Sequence, residues 1–274
     1  MTARSELAAA HAPVAATRAS ATAFWALCQR DGWNLIRHEL AAFLAQSLLQ
    51  PLFYLFIFGR VLPEIGSGRG GYGTTLLPGV VALTLFVTAL QNVALPLVIE
   101  FSFTKEIEDR LLAPLPGWLV AVQKVIFAGF RGIVAAVLVI PLAELILPGG
   151  AHLGAITWPG LVALFICGAV LGASVGLVLG TAVPAHRINV VFATVLTPLL
   201  FTGATFYPWQ GLHSLRWFQV VSLCNPLTYV SEGLRGAMTA MPHLGTGWIV
   251  LGIAVSTLVF LGLGLRGFMG RAVD

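Results

Sequence analysis

The sequence predicts an all-α polytopic membrane protein with six transmembrane helices, and three observations predict it. The 274 residues are 58% hydrophobic and only 9% charged, a composition unlike that of a soluble domain. The apolar residues gather in runs close to the ~20 residues that a helix needs to cross a bilayer. The 30 glycines suit spans that pack backbone to backbone, where no hydrophobic effect drives association. A net charge of +4 could serve nucleic acid elsewhere, but the basic residues here sit scattered at the ends of apolar runs, so no nucleic-acid partner is expected. Cys28, Cys167 and Cys224 are far apart, and there is neither an H-E-x-x-H motif nor a Cys/His cluster, so no metal centre is expected.

Residues 1–20 are rich in Ala and Thr, carry Arg4 and Arg18, and lack an apolar core of signal-peptide length; they are expected to form a disordered cytosolic tail. Residues 21–274 then form one transmembrane domain. From 21 to 38 the pattern is amphipathic: Phe24, Trp25, Cys28, Leu35 and Ile36 fall on one helical arc, and Arg30, Asn34, Arg37 and His38 on the other. Such a helix can lie in the membrane interface; the alternative is that it simply extends the first span into the cytosol. Spans are predicted at 40–58, 76–99, 125–147, 158–183, 190–206 and 248–265.

Residues 100–124, between the second and third spans, hold the densest charged stretch, with six charges between Glu100 and Arg110. Ile107, Leu111 and Leu115 share one face of a short helix, while Lys105, Glu106, Glu108, Asp109 and Arg110 lie mostly off it; Pro114 and Pro116 end it. A docking element is expected, against the alternative of a solvated loop that touches nothing. With a cytosolic N-terminus, ten of the Lys and Arg residues fall in cytosolic segments and four outside, Arg131 alone lying within a span, which predicts both termini inside.

The fourth span carries Gly168, Gly172, Gly176 and Gly180, a stripe that predicts close helix packing. Gly172 to Gly176 also matches G-x-S-x-G around Ser174, but every histidine lies outside the spans and no strand precedes the motif, so a serine nucleophile lacks its base. Residues 207–247 are too polar to cross and too apolar for a free loop. They predict short re-entrant helices broken at Pro208, Pro226 and Pro242, with Trp209, Trp217 and Tyr229 at headgroup level. Lys105 and Lys124 are the only lysines and neither completes a phosphate-binding loop, so the chain cannot hydrolyse ATP alone. Arg131 and Glu144 could face a transport path, and an ion-coupled secondary transporter would rest on them, although no inverted repeat accompanies them. For Arg131 the alternative is snorkelling to the interface.

Two stretches carry a family likeness. Lys105 to Val125, KEIEDRLLAPLPGWLVAVQKV, resembles the cytosolic loop of type-2 ABC exporter permeases, the family of daunorubicin-resistance and nodulation-factor exporters. Leu196 to Met238 resembles that family's fifth span and external helices, above all at Phe206-Tyr207-Pro208, Leu215-Arg216-Trp217 and Asn225-Pro226-Leu227-Thr228-Tyr229. The likeness covers nearly all of the chain after Ala21. It implies a permease subunit, not an enzyme, of the bacterial inner membrane. Its partners would be a second permease copy, identical or a close paralogue, and two nucleotide-binding ATPase subunits that hold the ATP and Mg. Glu106, Glu108, Arg110, Leu111, Leu112 and Pro114 would seat in the ATPase, with Phe24, Trp25, Arg30 and Arg37 on the interface helix beside them. Arg131, Phe201, Phe206 and Tyr207 would be candidates to line the path, and Trp217, Asn225, Pro226 and Tyr229 would belong to the closing external helices. No importer-type E-A-A…G motif occurs, so export is expected. The cargo would be a small hydrophobic or amphipathic molecule, such as a drug, antibiotic or lipid, or else a polysaccharide or glycolipid.

Overall fold

A computed structural model of the chain describes residues 22–65, 72–104, 116–147, 154, 156–239 and 241–273. The expected N-terminal tail, the charged island 105–115 and its coupling residues Glu106, Glu108, Arg110, Leu111, Leu112 and Pro114 lie outside the described residues. The described residues are mostly helical, with no strand among them. In order come α1, a continuous helix Thr22–Glu64 with π turns at Leu35–Glu39 and Ile57–Val61, and α2, Tyr72–Ile99, extended by a π turn at Glu100–Thr104. Then follow α3 (Gly117–Ile146), α4 (Trp158–Ala182) and α5 (Ile188–Thr202). A 3-10 turn at Trp209–Ser214 leads to α6 (Arg216–Leu223), α7 (Pro226–Met238) and α8 (Thr246–Val273). Among the described residues six helices, α1 to α5 and α8, are long and apolar enough to cross a membrane.

The centre of the fold is α2. Leu76, Val80, Val81, Leu85, Phe86, Leu90, Ala94 and Leu97 are fully buried along it, and α1, α3, α4 and α7 all pack against it. The glycine stripe of α4 lies on this helix. A Cβ at Gly172 would come within 2.9 Å of Phe86 Cα, one at Gly176 within 2.9 Å of Leu90 Cα, and one at Gly180 within 3.1 Å of Ala94 Cα. Gly168 instead meets Val230 of α7 and Leu85. Because six spans alternate in direction, the two ends of the described chain lie at one end of the bundle, and α6 and α7 cap the other.

Three boundaries depart from the sequence expectation. The interface helix expected at 21–38 and the first span expected at 40–58 are one helix, Thr22–Glu64, as the alternative reading has it. Asp31 pairs with Gln123 and Glu39 with Arg131, each 92 residues on, so α1 runs beside α3 in parallel register. The expected apolar arc is divided as a result: Phe24, Leu27 and Leu35 pack inward, whereas Trp25 and Ile36 face out. Second, α3 begins at Gly117 and not at Val125, and α2 runs on past Ile99, so both ends of the predicted loop 100–124 are helix. The helix continues through Lys124, which is buried against the Glu100 carboxylate. Third, the fifth helix stops at Thr202, short of Phe206: Ala204, at φ 51°, turns the chain back, and its carbonyl accepts from Arg235.

Candidate functional site

Three groups of side chains stand out in the fold. The first joins α1, α2 and α3 in the half of the bundle nearer the chain ends. Lys124 Nζ lies 2.6 Å from the Glu100 carboxylate, and both side chains are buried. One helical turn or two further along, Arg131 donates to Glu39 Oε2 at 2.9 Å and to Asn92 Oδ1 at 2.8 Å, its guanidinium over the rings of Phe127 and Phe43. Gln123 donates to Asp31 at 3.0 Å. Around these groups is a cavity of about 260 Å³ lined by Arg30, Lys124 and Arg131 against Asp31, Glu39 and Glu100, so opposite charges balance. Charges are tolerated at such depth when paired. Arg131 is therefore held between helices by Glu39 and Asn92 while it lines this cavity. Of the expected interface-helix residues, Arg30 pairs with Asp31 at 3.7 Å and Arg37 stacks 4.2 Å over the Trp33 ring.

The second group holds the capped end together. Asn225 caps α7: its Oδ1 accepts from Leu227 N at 2.9 Å, and its Nδ2 donates to Leu199 O and Thr202 Oγ1 at the end of α5. Pro226 follows at the first helical position, where no backbone donor is lost. Glu232 and Arg235, one turn apart on α7, form an ion pair with no solvent exposure at all. The Glu232 carboxylate also accepts from the backbone N–H of Trp209 and of Leu244, and Arg235 Nη2 donates to Ala204 O at 3.0 Å. One pair thus ties α7 to the chain entering α6, the turn after α5 and the loop before α8. Tyr229 Oη donates to Leu223 O, and its ring covers Gly252 of α8; Trp217 stands exposed on α6. Tyr229 thus packs between helices.

The third group is aromatic. Phe206 lies 5.1 Å from the ring of Tyr54, 5.3 Å from that of Phe58 and 6.0 Å from that of Phe201. Tyr207 turns away, donating to Phe201 O and stacking beside Phe218. Burial pushes its phenol above the usual tyrosine range, with a backbone hydrogen bond at Ala204 opposing, so it stays neutral. Of the four expected path residues, then, Phe201 and Phe206 come together at the capped end between α1 and α5, Tyr207 joins Phe201 by its hydrogen bond but faces Phe218, and Arg131 stands apart from them. Beside this group α5 is nearly bare, with Leu199 its one buried residue. Ser174 Oγ donates to Val170 O at 2.7 Å inside α4, a helix-internal bond.

Glu39, Asn92, Asp31 and Glu232 had no place in the sequence expectation. Only Glu232 left a readable sign, since acid and base at positions i and i+3 share a helix face. The other partners are 39 to 92 residues from the groups they hold.

Comparison with known proteins bears on the whole arrangement. The pattern of the ABC-2 type transporter family matches residues 22–239. The chain is 29% identical over 223 residues to the inner membrane transport permease YadH of Escherichia coli K12, covering 74% of this chain and 79% of that one, and equally so to YadH of Shigella flexneri. It is 30% identical over 206 residues to the ycf38 protein of Cyanophora paradoxa, covering 70% of this chain and 66% of that protein. A match running from the first turn of α1 to the end of α7 spans all three groups, and the chain belongs to the ABC-2 type transporter family.

Proposed function

We propose that this chain is the membrane subunit of an ATP-driven exporter in the bacterial inner membrane, moving a small hydrophobic or amphipathic molecule outward. It works as a pair of permease copies with two nucleotide-binding subunits, which bind the ATP and Mg. The observation that carries this reading is the aromatic wall of Tyr54, Phe58, Phe201 and Phe206 beside α5, a span with one buried residue. A membrane helix with so few contacts in its own chain gains them from another, and a second copy facing it would enclose an apolar aromatic path. The Lys and Arg count supports termini on the cytosolic side, with α6 and α7 outside. Residues 105–115 would then meet the ATPase, and the paired charges of α1, α2 and α3 would carry its closure into the spans. The aromatic rings also suit a glycan, so a polysaccharide or glycolipid is the second reading. The ion-coupled alternative loses support, because Arg131 is committed to Glu39 and Asn92.

The test is copurification of the tagged chain with an ABC-type nucleotide-binding ATPase from its own cell, followed by ATPase turnover in lipid. A stable complex whose turnover falls with Glu106→Lys supports the reading, and the cargo that stimulates turnover, lipophilic drug or oligosaccharide, separates the two substrate classes. No ATPase in the complex across several mild detergents would overturn it.

A further inference from the structure

On the side of the bundle away from α5, the helices α4, α7 and α8 enclose a groove of about 660 Å³. Its walls are apolar and mostly small, including Ala163, Cys167, Ile249, Ile253, Ala254 and Leu258. Gly233 and Gly236 line it from the α7 side, where their lack of a side chain lets Leu164 and His243 pack close: a Cβ at Gly236 would come 2.7 Å from His243 Cδ2. Lining residues Ile166, Val250 and Leu258 are exposed, so the groove opens sideways, towards lipid.

Its dimensions are those of one leaflet. The lining runs from Thr157 to Val170 on α4 and from Thr246 to Leu258 on α8, walls of ~20 Å at ~1.5 Å per residue. Half of a ~30 Å hydrocarbon core plus part of the headgroup region is about that deep. Level is set independently by Trp158 and Trp248, exposed in the first turns of α4 and α8, where tryptophan marks the membrane interface. The polar lining groups Thr157, His243 and Thr246 cluster at this same level, and of those deeper only Thr257 carries a polar side chain besides Cys167. Chemistry points to the occupant: a lining that is apolar at depth and polar mainly at the tryptophan level matches one hydrocarbon chain below a headgroup.

We infer that this groove is a lipid site, taking one acyl chain of the leaflet on the capped side with the headgroup beside His243. It lies apart from the aromatic wall, and it stands whatever the cargo and whichever way it moves. A chain seated there fills the gap between α7 and α8 and so supports the helix that carries Glu232 and Arg235.

The experiment is photolabelling of the full chain in vesicles of phosphatidylethanolamine and phosphatidylglycerol that contain a phospholipid with a diazirine along one acyl chain. Label is expected to concentrate on peptides from 157–170 and 246–258, above that on the equally exposed α1 residues Leu49, Phe53 and Phe56. The paired Ala163→Phe and Ala254→Phe replacements, at exposed groove positions, should reduce groove labelling to the α1 level. Even labelling around the protein, which is boundary lipid only, would overturn the inference, as would undiminished groove labelling in the filled variant. Efficient cross-linking of two copies through Cys167 would overturn it in favour of a protein partner. If the filled variant does not insert, the wild-type distribution alone decides.

Discussion

At the scale of single residues, Glu232 and Arg235 are the most exacting feature of the chain. A buried pair adds little net stability, but removing one partner strands the other charge, at a cost of about 3–5 kcal/mol. Glu232→Ala also leaves the Trp209 and Leu244 N–H groups without their acceptor, each worth about 1–3 kcal/mol when buried. The variant is expected to unfold at a markedly lower temperature in mild detergent. Glu64→Ala, which removes a partner 3.9 Å from Arg60 at a solvent-exposed site, should change stability by no more than about 0–1 kcal/mol. Equal melting of the two variants would refute the assignment of Glu232 as a keystone. The pair itself is legible in the sequence, as acid and base one turn apart. Its role is not, because Ala204, Trp209 and Leu244 reach it only through the fold.

Helices are where charge misleads and small residues inform. Lys124 suggests the edge of the membrane to any count of charges, yet it sits inside α3 because a π turn at the end of α2 brings Glu100 to it. The same pairing principle makes α1 continuous: Glu39 can remain in the helix where Arg131 waits for it. The glycine stripe of α4, by contrast, is readable directly, since spacing by four puts the residues on one face and only small side chains allow close approach. Gly172→Leu is therefore expected to destabilise by at least the ~1–3 kcal/mol of ordinary overpacking, because the atoms in its way are the Phe86 backbone and cannot rotate aside. Gly262→Leu on α8, with nothing within 4 Å, should be tolerated; comparable expression and melting of the two would count against the α2–α4 contact as a close-packed seam.

Taken as a whole molecule, the chain is lopsided: α2 is wrapped on all sides while α5 stands nearly free. A pair of copies meeting along α5 would remove that asymmetry. In a background with Cys28, Cys167 and Cys224 changed to serine, Val190→Cys on α5 is expected to cross-link into a dimer in native membranes. Val259→Cys on the outer face of α8 is not. Cross-linking at Val259 and none at Val190 would move the copy-to-copy face to α8 and remove the support for an aromatic path between copies.

Helical class, six crossings, the buried glycine face and the family could be read from the order of residues, because each depends on local chemistry: run length against bilayer thickness, residue size against helix period, motif against motif. Where the spans begin and end, which side of α1 is covered, and what Arg131 and Glu232 do were decided only by tertiary structure. The reason is that a charge in an apolar environment has no fixed cost. Its cost depends on whether a partner stands within hydrogen-bond reach, and here the partners of Lys124 and Arg131 come from helices 24 to 92 residues away in the chain.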